Sequence, residues 1–127
     1  HRFPNMRAKF IFLAREHKDT IKEVINSHEN DLQRREWLVK NIKGLGMKES
    51  SHFLRNIGFF DVAIIDFHIV DILADNGLIE RPKNKSLTTK KYLEIENILR
   101  ELAEKTQISL GELDLYLWFE ETGMVLK

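Results

Sequence analysis

A double-glycine turn between two helical patterns constrains the fold of this chain more than any other feature. The turn is Gly-Leu-Gly at residues 44–46; the helix before it can be capped by Asp31, and a second helix is predicted from about Met47 to Asn56. Glycine permits both a tight turn and a close approach of bare backbone amides to another group, such as a phosphate. The sequence therefore predicts a helix-hairpin-helix at about residues 32–57.

The rest of the chain also has the periodicity of helices. Apolar residues recur at three-to-four spacing, Thr88 or Thr89 can cap one helix, and Ser109 with Glu112 has the spacing of a capping box. Four further helices are predicted, over about residues 7–28, 62–75, 89–105 and 110–121. The predicted helix over residues 62–75 is apolar almost all round and is expected to be buried. We predict an all-α, multi-helix orthogonal bundle that forms one domain over residues 1–127.

Composition excludes several classes of protein. The 127 residues contain no cysteine, which excludes disulfides, Cys-ligated zinc and iron–sulfur clusters, and fits a reducing cytoplasm. No apolar run reaches the roughly 18 residues of a membrane-spanning helix, and the start His1-Arg2-Phe3-Pro4 lacks the apolar stretch of a signal peptide. We expect a soluble cytoplasmic protein that uses no metal and no cofactor.

The chain has 20 basic and 20 acidic side chains, but their distribution is uneven. Residues 31–58 hold six basic and three acidic groups, residues 81–91 hold five basic groups and no acid, and residues 94–121 hold eight acids and two basic groups. This pattern favours a phosphate-facing surface near the hairpin and a water-facing surface near the C-terminus. Charged helix faces that are distributed at random remain the alternative.

Lys48 and Asp66 are the candidate chemical groups. Lys48 lies in the first turn of the helix after the hairpin, and Asp66 falls within the apolar run 62–75. A carboxylate in a buried helix is costly unless it has a partner or a use, and a lysine near a carboxylate can act as a nucleophile. The alternatives are a plain phosphate contact or solvated amine for Lys48, and a helix N-cap or internal salt bridge for Asp66.

At these residues the sequence resembles a known family. The pattern Gly44-x-Gly46-x-Lys48, followed by Ile-Asp-Phe-His at 65–68, resembles the helix-hairpin-helix-GPD superfamily of DNA glycosylases. Within it, residues 38–80 and the ending WFEETGMVLK at 118–127 are similar to the archaeal-type 8-oxoguanine DNA glycosylase/AP lyase family. That family has a further N-terminal helical stretch that this chain lacks, so a missing N-terminal segment is expected to complete the cleft.

The resemblance implies specific roles. Lys48 would attack the anomeric carbon of the damaged nucleotide and form a Schiff base, and Asp66 would assist that attack. Four residues would contact the DNA backbone: Lys43, Gly44, Gly46 and His68. Three would recognise the base: Lys127, Trp118 and Phe3.

The same residues also have structural interpretations. Residues 44–46 can be the turn of an ordinary helical hairpin, and His68 can be a core histidine with satisfied hydrogen bonds. Trp118 and Phe119 belong to one predicted helix, so at least one of them must face the core. Lys127 can be an ordinary chain end.

Three functions remain from the sequence. The first is a bifunctional enzyme that excises 8-oxoguanine from double-stranded DNA as a monomer without contact to a membrane, with a glycosylase for another damaged base as its variant. The second is a non-catalytic helix-hairpin-helix module that only binds DNA. The third is a helical protein-interaction domain, which predicts no salt-dependent affinity for DNA.

Overall fold

A computed structural model describes residues 18–84 and 86–122 of the chain. The described part contains α-helices and one 3-10 turn and no strand, so the all-α prediction is confirmed. The elements are α1 Lys18–Ser27, α2 Asp31–Asn41, α3 Met47–Asn56, α4 Phe67–Asp75, α5 Thr89–Thr106, the 3-10 turn Leu110–Glu112 and α6 Leu113–Thr122. The predicted start of the first helix near Arg7 lies outside the described residues.

The predicted helix-hairpin-helix is formed by α2 and α3, which pack against each other. The N-cap of α2 is Asn30, whose side-chain oxygen accepts a hydrogen bond from the backbone N–H of Gln33 at 2.9 Å. The prediction that Asp31 is the cap is therefore wrong. Asp31 is buried, and its carboxylate instead accepts hydrogen bonds from Arg34 at 2.6 Å and from the backbone N–H of Asp61 at 2.8 Å.

The helix predicted over residues 62–75 begins only at Phe67. The residues before it are buried, but their backbone donors are satisfied by distant side chains. The N–H of Ala63 donates to Glu96 at 2.8 Å, and the N–H of Ile65 donates to the hydroxyl of Tyr92 at 3.2 Å. The prediction missed this because an apolar run without periodicity does not distinguish a buried helix from a buried extended segment.

Of the two helix caps predicted in the C-terminal part of the chain, one is confirmed and the other is wrong. Thr88 caps α5 as predicted, since its hydroxyl accepts a hydrogen bond from the N–H of Lys91 at 3.1 Å. The capping box at Ser109 is wrong: the Ser109 hydroxyl donates to the Glu112 carboxylate at 2.7 Å, and the chain makes a 3-10 turn before α6 begins.

The core has two parts. A cluster that includes Ile25, Leu38 and Leu54 holds α1 against the hairpin, and a larger cluster that includes Leu73 and Leu99 joins α4, α5 and α6. A buried ion pair spans the boundary: Arg35 on α2 donates to both oxygens of Glu96 on α5, at 2.5 and 2.8 Å. The hairpin is thereby tied to the helix that packs behind α4.

Candidate active site

Lys48 and Asp66 line the same cavity, which has a volume of about 420 Å³. The cavity opens beside the hairpin turn, and its other walls come from the start of α4, the linker after it and the start of α5. The two candidate chemical groups therefore share one cavity, with Lys48 on α3 and Asp66 at the position just before α4.

Lys48 is the second residue of α3, two positions after the N-cap Gly46. Its side chain is 48% exposed, and its Nζ lies 3.8 Å from Oε2 of Glu49. The other oxygen of Glu49 accepts a hydrogen bond from the N–H of Gly46 at 3.2 Å. Glu49 also lines the cavity. The sequence interpretation overlooked Glu49. A glutamate three residues after an N-cap often accepts a hydrogen bond from the backbone N–H of that N-cap, so its spacing was a usable signal.

Asp66 is the N-cap of α4, and its Oδ1 accepts a hydrogen bond from the N–H of Ile69 at 3.0 Å. It is half-buried. The expectation that it sits within a buried helix is therefore wrong, and the N-cap interpretation is what the structure contains. A cap holds the carboxylate in one orientation at the edge of the cavity, because the bond fixes the side chain against the first turn.

Asp66 also borders a second cavity, of about 310 Å³, together with His68, Asp114 and Trp118. The rings of His68 and Trp118 meet edge to face, with centroids 4.9 Å apart at an angle of 67°. His68 is exposed, so the interpretation of it as a core histidine is wrong. Trp118 is half-buried and presents part of its surface to this cavity. A cavity with aromatic and carboxylate walls therefore adjoins the one that holds Lys48.

Asp114 was not singled out by the sequence interpretation. Burial raises the pKa of its carboxyl, while the guanidinium of Arg55 opposes that rise and the nearby Asp66 adds to it. The Arg55 Nη1 donates to Asp114 Oδ1 at 2.7 Å and to the carbonyl of Gly111 at 3.1 Å. The only signal in the sequence was its position one helical turn before Trp118.

Tyr92 was also missed, and it forms part of the wall behind Lys48. Its hydroxyl donates to the carbonyl of Ala63 at 2.6 Å, and burial raises its pKa to about 12. A phenol with this pKa stays protonated near neutral pH, so it supports the non-helical segment of residues 62–65 and does not serve as a base.

The hairpin residues are placed at the surface. Lys43, Gly44 and Gly46 are all exposed. Gly44 has φ of 95°, which favours glycine, whereas Gly46 has φ of −84°, which any residue can adopt. The backbone conformation therefore favours glycine at position 44 but does not require it at position 46.

Two base-recognition candidates, Phe3 and Lys127, lie outside the described residues. Within residues 18–84 and 86–122, no group of three or more His, Asp or Glu side chains is arranged to hold a metal ion. In that same part of the chain, every helix is too short or too polar to cross a bilayer.

Comparisons with known proteins agree with one another, since each of them finds 8-oxoguanine DNA glycosylases. A family model described as 8-oxoguanine DNA glycosylase matches residues 1–108. The chain is 56% identical over 127 residues to the 8-oxoguanine DNA glycosylase/AP lyase of Korarchaeum cryptofilum, with 100% of this chain and 60% of the relative covered. It therefore spans less than two thirds of that relative's length.

Two solved structures are similar to the whole described fold. The 8-oxoguanine glycosylase/lyase of Methanocaldococcus jannaschii, in complex with a 15mer DNA containing 8-oxoguanine, has 54% identity and a TM-score of 0.87, covering 100% of this chain and 60% of that chain. The 8-oxoguanine DNA glycosylase of Thermotoga maritima has 44% identity and a TM-score of 0.83, covering 98% and 59%.

Proposed function

Because the chain belongs to the 8-oxoguanine DNA glycosylase family, we propose that it carries the catalytic part of a bifunctional DNA glycosylase/AP lyase. Its substrate is 8-oxoguanine in double-stranded DNA. The observation that carries this proposal is that Lys48 on α3 and Asp66, the N-cap of α4, line one cavity beside an exposed hairpin turn. The similarity to a relative crystallised with DNA containing 8-oxoguanine supports the choice of substrate.

Lys48 is the nucleophile in this proposal. Its neutral amine attacks C1′ of the damaged nucleotide, the bond from C1′ to the base breaks, and the base leaves with the electron pair and a proton. The sugar ring then opens to a Schiff base. Loss of a C2′ proton breaks the C3′–O bond, and the 3′ phosphate leaves by β-elimination. Asp66, which its capping bond holds at the cavity edge, stabilises positive charge on the sugar during the first step.

The second cavity is the proposed place for the extruded base. Removing a base from its sugar requires that it leave the stack, and stacking on an aromatic face recovers about 1–3 kcal/mol. Trp118 offers such a face, and the resemblance adds Phe3 and Lys127. One carboxylate, Asp66, borders both cavities, so a base beside Trp118 would place its sugar near Lys48.

The hairpin and the start of α4 are the proposed grip on the DNA backbone. Lys43, Gly44 and Gly46 are exposed at the turn, and His68 is exposed at the start of α4. Backbone amides at a glycine turn contact phosphates without reading the sequence. We further propose that the chain acts as one domain and as a monomer in the cytoplasm, and that an N-terminal segment, which the family resemblance implies, completes the cleft.

Borohydride trapping tests the nucleophile. Borohydride reduces the Schiff base to a stable amine, so the chain should become cross-linked to a duplex that contains 8-oxoguanine. Lys48→Gln should abolish the cross-link, because glutamine has no amine. Lys105→Gln, at the far end of α5, is the matched control and should trap like the unaltered chain.

Equal trapping by the unaltered chain and by Lys48→Gln would show that another group is the nucleophile. DNA binding without trapping on any lesion would favour the non-catalytic DNA-binding module. Trapping on a different damaged base, but not on 8-oxoguanine, would keep the chemistry and change the substrate.

A further inference from the structure

The basic stretch at residues 81–91 has no role in the proposed chemistry, yet it borders the candidate active site. It forms most of the linker from α4 to α5 and the first residues of α5. Ser86, Leu87 and Thr89 of this stretch line the same cavity as Lys48. Any strand that enters that cavity therefore passes next to the linker.

A second cleft, here called the linker cleft, lies between α4 and the linker and has a volume of about 310 Å³. It shares Phe67 and Val70 with the active cavity and is completed by Pro82 and Lys83, among others. Phe67 is 53% exposed; its ring contacts His68 and still presents apolar surface to this cleft. The cleft thus has an apolar floor and an exposed lysine at its rim.

The two acidic side chains on the α4 side of this cleft already form ion pairs. Arg81 forms one ion pair with Asp71 and another with Asp75, the second at 2.5 Å. These two ion pairs hold the start of the linker against α4. The partial neutralisation of these two carboxylates reduces their repulsion of an anion. Lys83, two residues beyond Arg81, then supplies the positive charge at the rim.

We propose that the linker cleft holds the sugar–phosphate segment next to the extruded nucleotide. The deoxyribose packs on Phe67 and Pro82, and the adjoining phosphate contacts Lys83. Duplex DNA presents its sugars and phosphates outward, and a protein contacts them to set the register of the strand. This inference rests on the proposed function, because it takes the strand in the cleft to be the one whose nucleotide reaches Lys48.

Salt-dependent binding tests the phosphate contact. Affinity for a duplex containing 8-oxoguanine is measured at several salt concentrations, in a Lys48→Gln background so that no strand is cut. Each phosphate contact contributes about 0.9 to the slope of log affinity against log salt. Lys83→Gln should lower the slope by about that amount, whereas the matched change Lys105→Gln should leave it unchanged.

The sugar contact has its own variants. Phe67→Ala should weaken binding about fivefold, because apolar area that the sugar covers is lost. Phe67→Leu keeps an apolar side chain of similar reach and should stay within about twofold. Phe60→Ala removes another exposed phenylalanine, 42% exposed and outside the linker cleft, and should have no effect.

An unchanged salt slope for Lys83→Gln, or equal affinity for Phe67→Ala and Phe60→Ala, would overturn the inference. Failure of this inference can be distinguished experimentally from failure of the proposed function. If the unaltered chain is trapped by borohydride but the two linker-cleft variants bind normally, only the inference fails. If the variants weaken binding but trapping is absent, the cleft binds DNA and the enzymatic proposal fails.

Discussion

At the scale of single residues, the two hairpin glycines differ in what requires them. Gly44 has a positive φ, so a side chain there would be strained by its own backbone. At Gly46 an added Cβ would meet only the carboxylate end of Glu49, at 2.9 Å, and that flexible side chain can move. The positive φ therefore requires glycine at position 44, whereas the backbone at position 46 does not, which is consistent with the proposed contact of Gly46 with DNA.

We predict that Gly44→Ala lowers the free energy of unfolding by about 1–2 kcal/mol because of its positive φ. Gly46→Ala should cost less than about 1 kcal/mol, the difference between glycine and alanine at an N-cap. Urea denaturation of both variants measures this. DNA affinity should fall for Gly46→Ala by more than its small loss of stability explains. Equal losses of stability at the two positions would contradict the distinction.

At the scale of elements, Arg55 joins the end of α3 to the start of α6. Its guanidinium binds Asp114 and the carbonyl of Gly111. The N–H of Gly111 in turn donates to the carbonyl of Phe60 at 2.7 Å, and an added Cβ at Gly111 would lie 3.0 Å from the Phe60 Cα. These contacts fix the helix that carries Trp118 relative to the helix that carries Lys48.

We predict that Arg55→Met destabilises the protein by about 1–3 kcal/mol, because the partly buried Asp114 loses its cationic partner. The pKa of Asp114, which burial already raises from 3.8, should rise further. A carboxyl whose folded pKa exceeds its unfolded pKa costs stability once it is ionised, so this part of the loss is absent below about pH 3.8 and grows as pH rises through the folded pKa.

Urea denaturation at about pH 3.5, where this part of the loss is absent, and at pH 8 checks this prediction. The difference in stability between Arg55→Met and the unaltered chain should be larger at pH 8. Adding Asp114→Asn to the variant should remove the dependence on pH, because the titrating group is then gone. A loss of the same size at both pH values would mean that Arg55 acts through packing alone.

At the scale of the whole molecule, the buried pair of Arg35 and Glu96 connects the two core clusters. Both side chains are 2% exposed, and Glu96 also accepts a hydrogen bond from the N–H of Ala63. The pair therefore ties the hairpin, the non-helical segment of residues 62–65 and α5 to one another. The relative positions of Lys48 and Asp66 depend on this junction, since Lys48 belongs to the hairpin and Asp66 directly follows the segment.

We predict that Glu96→Gln lowers the free energy of unfolding by about 3–5 kcal/mol, because it leaves the Arg35 guanidinium buried without a counter-charge. The double variant Arg35→Met with Glu96→Gln should be more stable than the single variant. Thermal or urea denaturation of the two, compared with Arg35→Met alone, measures the coupling. Additive losses from the two single changes would show that the charges do not interact.

The sequence by itself determined the features that depend on near neighbours. The helical hairpin, the cap at Thr88 and the candidate Lys48 follow from residues within a few positions of one another, because helix periodicity, capping and glycine turns are local. The family assignment also came from contiguous motifs, and the comparisons confirm it. The catalytic and DNA-binding roles of single residues remain proposals.

Only the tertiary structure decided where α4 begins and which side chains accompany Asp66. Residues 62–65 lie outside a helix, and side chains about 30 positions away bond to their backbone: Glu96 accepts a hydrogen bond from the N–H of Ala63, and Tyr92 donates one to its carbonyl. Asp114 reaches its place through Arg55, 59 residues earlier in the chain. Residues so far apart in the sequence produce no local pattern that predicts their contact. They meet only because the packed fold brings distant parts of the chain together.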